Sequence, residues 1–272
     1  MIALPPTVTI VVPAKNEAAN LREVLPLLPL DYEIVLVDGH SVDNTIEVAL
    51  ELRPDIRIVQ QTRKGKGNAL AAGFLAATGD VVVMFDADGS ADPREIPKFV
   101  QAVVDGAGYA KGSRFAPGGG SEDITGLRTW GNSWLNWVAN RAFGTRFSDL
   151  CYGYNAFRRD LVDVLDLPAL DLVAPTGEML WGDGFEIETV ISCRFAAAEI
   201  ATTEVPSVEL ARIHGESNLR TFRDGTRVLR TIAAEYRRMR TARRAAVPAS
   251  TTFRPAVSTE SILDSGDGRM VA

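Results

Sequence analysis

The sequence predicts an α/β fold, a mostly parallel central sheet with helices on both faces. Three observations lead there. Over about the first 115 residues, short β-branched apolar runs alternate with longer segments of helical periodicity, the order that builds parallel βαβ units. The run Val81-Val82-Val83-Met84-Phe85 is apolar throughout, as expected of a strand covered on both faces. Polar residues follow the runs directly, at the strand ends where such sheets bind ligands.

The elements follow in order. Thr7 to Val12 is a strand ending at Pro13, and a helical pattern runs from about Glu17 to Leu28. Glu33 to Val37 is the second strand, with a helix from about Asp43. Ile56 to Val59 is the third, followed by an alanine-rich helix over Gly67 to Ala77. After the fourth strand, Asp92 caps a helix with Pro93 in its first turn. Tyr109 to Gly112 closes this half. Beyond it, Pro117 to Ser121 is a glycine-rich loop, a candidate lid. Leu127 to Phe143, Ala156 to Leu165, Phe185 to Ala197 and Thr221 to Ala245 read as helices, and Ile200 to Val205 as a strand. The expected division is a domain over 1–245, with halves meeting near 115/116, and a disordered polar tail over 246–272.

Composition narrows the function. The chain has 272 residues, 46% of them hydrophobic, enough for one sizeable core. A net charge of -6 argues against a general nucleic-acid binder. Two distant cysteines, Cys151 and Cys193, with two histidines, make neither a disulfide framework nor a zinc site. Free thiols in a reducing cytoplasm are expected. The N-terminus lacks the pattern of a signal peptide. No run approaches the roughly 18 apolar residues that span a bilayer, so any membrane contact is expected to be peripheral.

The residues that carry chemistry cluster at strand ends. Asp86-Ala87-Asp88 emerges from the buried fourth strand. Oxygen ligands at this spacing suit Mg2+ or Mn2+ held against a substrate phosphate. Asp38 ends the second strand, placed to accept from a nucleoside or to hold a turn. Lys64-Gly65-Lys66-Gly67-Asn68 offers cations and open backbone to a phosphate, or is a solvated turn. Arg114, Arg128, Arg146 and Arg212 are candidates for an anionic acceptor. Asp183 and Glu186 open a helix, as caps or as a general base. Trp130, Trp134 and Trp137 share a helical face. Core packing is the plainer reading, an acceptor groove or interfacial anchor the sharper one. The last helix sets apolar Phe222, Val228, Leu229, Ile232, Tyr236 and Met239 against an arginine face, a pattern shared by membrane-surface and core-packed helices.

Several segments together resemble family 2 of the glycosyltransferases, and within it the dolichol- and polyprenyl-phosphate sugar synthases. They are Val11 to Glu17, Val37 to Thr45, Gly65-Lys66-Gly67, Asp86 to Ser90, Gly112-Ser113-Arg114, Gly153 to Phe157 and Arg212 to Asn218, in family order over about residues 7 to 235. The resemblance implies a GT-A fold and inverting transfer of a hexosyl group from a UDP- or GDP-sugar to a polyprenyl phosphate. It implies that Pro13, Lys15, Glu17, Val37 and Asp38 line the nucleoside. Asp86, Ala87 and Asp88 would approach the diphosphate and metal, with Ser90 a third ligand and Lys66 and Arg114 nearby. Arg212 would hold an acceptor or donor phosphate, and Arg128, Ser217 and Asn218 are placed with it on the acceptor side. Two positions depart from the family pattern: Gly39 stands where a second acid is common, and Asn218 where a lysine is. A hydroxyl acceptor activated by Glu186 or Asp183, a sugar-nucleotide nucleotidyltransferase and a non-catalytic binder are the competing readings.

Overall fold

The computed structural model describes residues 5–122, 124–175, 178–215 and 221–246. The expected tail from 247 onward, Ser217 and Asn218 lie outside the described residues.

The apolar runs form the parallel strands β1 (Val8–Ala14), β2 (Glu33–Asp38), β3 (Arg57–Gln60) and β4 (Val81–Met84). Further along lie β5 (Tyr109–Ser113), β6 (Gly120–Ser121), β7 (Asn155–Arg158), β8 (Thr202–Pro206) and β9 (Val208–Glu209). Seven strands make one sheet in the order β3-β2-β1-β4-β7-β5-β8. β7 runs antiparallel to both β4 and β5, and the other pairings are parallel. This corrects the helix expected over Ala156 to Leu165: its first residues are the inserted strand, and Arg159–Leu165 is a 3-10 helix. The glycine-rich segment expected as a lid is tied down, because β6 pairs with β9.

Helices α1 (Ala18–Val24), α2 (Thr45–Leu52) and α4 (Ile96–Val104) cover one face of the sheet, α3 (Lys66–Ala76) and α6 (Ile187–Ala197) the other. The Asp92 cap is as expected, its side chain accepting from the Arg94 amide at 2.9 Å, although the first turn is 3-10. Because β1 is buried on both faces, Ile10 and Val12 pack on one side and Val11 on the other.

A smaller third cluster joins α5 (Gly126–Phe143), α6 and α7 (Thr221–Ala246) through Leu135, Ala139, Cys193 and Ile232. The apolar side of α7 thus packs on the domain, while Arg230, Arg237 and Arg240 are exposed. Glu235 fixes it there. It receives the Arg194 guanidinium at 3.0 Å through two atoms, and the Trp181 indole N–H at 2.8 Å. These donors hold its carboxyl below the usual range although burial alone would raise it. Core packing does not describe the tryptophans of α5. Trp130, Trp134 and Trp137 are 70%, 45% and 64% exposed. No helix among the described residues is long and apolar enough to cross a membrane. Both cysteines are free.

Candidate active site

The C-terminal end of β4 faces a cleft of about 570 Å³, with Arg114 just after β5 also on its wall. Lys66, Asp86, Asp88, Ser90, Arg114, Arg128 and Arg212 all line it. Residues far apart in sequence therefore meet where a doubly wound sheet is expected to bind its ligand.

Asp86 and Asp88 leave β4 on a turn that needs Gly89. That residue has φ +79°, and a Cβ there would meet Ile213 at 2.5 Å. Ile213 belongs to a strap over the turn: the Leu210 amide donates to the Ser90 carbonyl at 2.9 Å and the Ile213 amide to that of Asp88 at 3.2 Å. Asn20 anchors the strap through the His214 amide at 2.9 Å. The strap delivers Arg212, whose guanidinium lies 2.6 Å from Asp88. Ser90 Oγ donates to Asp88 Oδ1 at 2.6 Å.

Lys66 Nζ lies 2.7 Å from Asp86 and 2.7 Å from Glu188. Burial would lower this lysine's pKa, but the two carboxylates outweigh it and raise it. Burial pushes the Asp86 carboxyl up, Lys66 opposes this, and the Asp88 charge adds to it. Glu17 is raised for the same first reason, tempered by Asn20, with Asp88 again adding. Four acids thus crowd around two cations.

This arrangement fits a hard divalent cation. Two carboxylates and a hydroxyl are oxygen donors in close sequence, set in an excess of negative charge. Among the described residues no three His, Cys, Asp or Glu side chains are grouped to hold a metal. A Mg2+-like ion takes one or two carboxylates and completes its shell with phosphate and water.

The remaining expected residues fall into three groups. Pro13, Lys15 and Glu17 lie on the β1 edge, Lys15 exposed, and Asn16 ties this turn to the next by accepting from the Val42 amide at 2.8 Å. Val37 and Ala87 are buried in the core, where they shape the edge without facing the cleft. Asp38 is buried and accepts from the Ser41 amide at 3.2 Å and from Gln60 at 3.1 Å. A Cβ on Gly39 would sit 3.0 Å from Lys15 Cβ and 3.2 Å from the Ala14 carbonyl oxygen, so this turn leaves little room for a second acid.

Asp183 and Glu186 are engaged away from the cleft. Asp183 is buried against Arg63, at 2.8 and 2.9 Å through two atoms. Glu186 accepts from the Gly182 and Gly184 amides at 3.1 and 3.2 Å. The carboxylate from this region that does line the cleft is Glu188, two residues on and not singled out from sequence. The glycines before α3 also serve the protein itself. A Cβ on Gly67 would lie 1.8 Å from the Gly182 carbonyl oxygen, and the Gly67 and Asn68 amides donate to the Asp183 carbonyl at 2.8 and 3.2 Å. Arg114 is gripped by Asp149 at 2.7 Å and Glu209 at 3.0 Å, so it braces the cleft wall with its charge matched.

Comparison with known proteins agrees with this geometry. The profile described as "Glycosyl transferase family 2" matches residues 9–165. A dolichol-phosphate mannosyltransferase from Pyrococcus furiosus is 31% identical over 223 residues, 78% of this chain and 59% of that protein. A polyprenol monophosphomannose synthase from Mycolicibacterium smegmatis is 34% identical over 173 residues, 60% of this chain and 65% of its own. The chain spans less than two thirds of the length of these relatives. Among solved structures, glucosyl-3-phosphoglycerate synthase from Mycobacterium tuberculosis, in complex with Mn2+, UDP and glucosyl-3-phosphoglycerate, superposes with a TM-score of 0.62 at 23% identity, over 85% of this chain and 80% of that one. The shared architecture is the GT-A fold.

Proposed function

Because the chain belongs to glycosyl transferase family 2, we propose that it moves a hexosyl group from a UDP- or GDP-sugar to a polyprenyl-phosphate-type lipid, with inversion and with a divalent metal. The observation that carries the reading is the cleft itself. It joins the acids of β4 to the cations Lys66 and Arg212 and continues over apolar Leu135, Phe185 and Val228.

Asp86, Asp88 and Ser90 would hold the metal, which supplies positive charge to the departing nucleoside diphosphate. The turns after β1 and β2 form the nucleoside edge. Lys66 lies beside Asp86 at 2.7 Å and would neutralise the β-phosphate as its bond to the sugar breaks. Arg212 and Arg128 hold the acceptor phosphate for in-line attack at the anomeric carbon. The acceptor is already an anion, so no base need remove a proton. The engagement of Asp183 and Glu186 elsewhere supports this reading over a hydroxyl acceptor. The UDP and manganese bound by the Mycobacterium tuberculosis synthase, and the lipid-phosphate names of the relatives, point the same way.

The test is a matrix of UDP- and GDP-sugars against polyprenyl phosphate and soluble acceptors, with Mn2+ or Mg2+, reading released nucleoside diphosphate. Release that requires polyprenyl phosphate and metal is expected. Release driven only by a soluble hydroxyl acceptor would overturn the acceptor assignment, and Glu188 would then be the carboxylate in place to act as base.

A further inference from the structure

Helix α5 has two working faces. Arg128, Gly131, Asn132 and Leu135, spaced i, i+3, i+4 and i+7, line the cleft. Trp130, Trp134, Trp137 and Arg141, spaced i, i+4, i+7 and i+11, lie together about 140° round the helix. All four are exposed. Three of the chain's four tryptophans thus form one outward row, where apolar area in water is unfavourable.

The charge along α5 itself has one sign, with Arg128 on the cleft face and Arg141 on the tryptophan row. The chain carries a net charge of -6, yet residues 126–148 contain three arginines and no acid. At the C-terminal end of α5, Phe143 meets Tyr236 of α7, and Arg240 lies 5.9 Å from that ring's centre. Tryptophans flanked by arginines match the headgroup region of an anionic bilayer, where the indole ring is buried and its N–H stays hydrated.

We propose that the outward face of α5, through Trp130, Trp134, Trp137 and Arg141, seats the protein on an anionic lipid surface. The choice of a bilayer as partner rests on the reading of the cleft as a lipid-phosphate site. A helix is about 10 Å across, so seating this face brings the cleft within one helix of the headgroups. Gly131 stands between the two faces, and a Cβ there would meet nothing within 4 Å.

The experiment is vesicle flotation and tryptophan emission with the full chain. It uses phosphatidylglycerol vesicles and phosphatidylcholine vesicles, without donor or polyprenyl phosphate. The wild type is expected to float with the anionic vesicles and its emission to shift to the blue. The triple variant W130S/W134S/W137S is expected to lose at least tenfold in partitioning with an unchanged melting curve. Trp130→Ser alone, at the most exposed position, is expected to lose severalfold, which keeps the test open should the triple variant not fold. Arg141→Glu should weaken binding at low salt and less at high salt. Failure of the wild type to bind anionic vesicles would overturn the proposal. So would a triple variant that binds within twofold of the wild type, or a wild-type dimer in solution that the triple variant abolishes. Vesicle binding without transfer to polyprenyl phosphate would remove the proposed acceptor and leave the docking face standing. Transfer in detergent by a protein that ignores vesicles would do the reverse.

Discussion

Arg212 and Asp88 are ion-pair partners at 2.6 Å, across 124 residues of sequence (212 − 88). The acid assigned to the metal and the arginine assigned to a phosphate thus neutralise each other. If Asp88 holds a metal as proposed, this pair would have to part, and Arg212 would then be free for a phosphate. Asp88→Asn should abolish the metal dependence of UDP binding and lower kcat/KM by about a thousandfold, the scale of losing a main electrostatic contact. Arg212→Ala should keep the metal dependence and lose about a hundredfold, chiefly in transfer. Titrations of UDP with and without Mn2+, beside steady-state kinetics, separate the two. Full activity of Asp88→Asn without added metal would refute the metal assignment.

Glu188 shares Lys66 with Asp86. In Glu188→Gln the lysine loses one of two anionic partners and is drawn wholly to Asp86, misplacing it for the diphosphate. Transfer should fall about tenfold, with the larger part in kcat. If kcat and KM both match the wild type, Glu188 has no part in positioning Lys66.

Asp183 predicts the opposite pattern. Asp183→Asn leaves the buried Arg63 guanidinium without its charge partner. Removing one member of a buried pair costs about 3–5 kcal/mol of stability. Arg63 also donates to the Ala169 carbonyl at 2.8 Å, so the segment around 168–172 should loosen. Denaturant unfolding should show the loss, while the fraction that stays folded keeps its kcat. A variant as stable as the wild type but unable to transfer sugar would restore Asp183 to the chemistry.

Lys111 gives a pH signature of its own. It is fully buried, its ammonium donating to the Tyr152 carbonyl at 2.8 Å. Burial pulls its pKa down to about 8, with Asp149 opposing. Between about pH 8 and 10.5 the unfolded chain binds the proton more tightly than the folded one, so stability rises with pH across that window. Relative to Lys111→Met, the wild type should gain roughly 2–3 kcal/mol from pH 7.5 to 10.5. Parallel unfolding profiles of the two proteins would show that Lys111 is not the source.

Much of the sheet was legible because β1, β2 and β4 are continuous apolar runs, a pattern that local sequence carries. β7 was not. Asn155-Ala156-Phe157-Arg158 is short, and its partners lie in β4 and β5, far away along the chain. The 3-10 turn after it, with Leu161 and Leu165, mimics helical spacing. The tryptophan row misled for a related reason, since periodicity identifies a face and not what covers it. At the site, the acids of β4 were readable from their strand. Asp183, Glu186 and Glu188 are alike in sequence, acids at the start of a helix. Arg63 and Lys66, more than a hundred residues earlier, decide which of them faces the cleft. The Gly65-Lys66-Gly67 loop pointed to the right place for a partly different reason, because its glycines admit the 182–183 backbone.

The position of β7 has an evolutionary consequence. The chain leaves the sheet after β5, builds α5, and returns to place β7 between β4 and β5 before β8 takes the edge. The two halves anticipated from sequence therefore share one hydrogen-bonded ladder, and neither is a free-standing module that could be exchanged at residue 116. What can vary without disturbing the ladder is the excursion between β5 and β7 and that between β7 and β8. The second excursion is still tied to the β4 edge, because Asp183 meets the Gly67 amide and Glu188 meets Lys66.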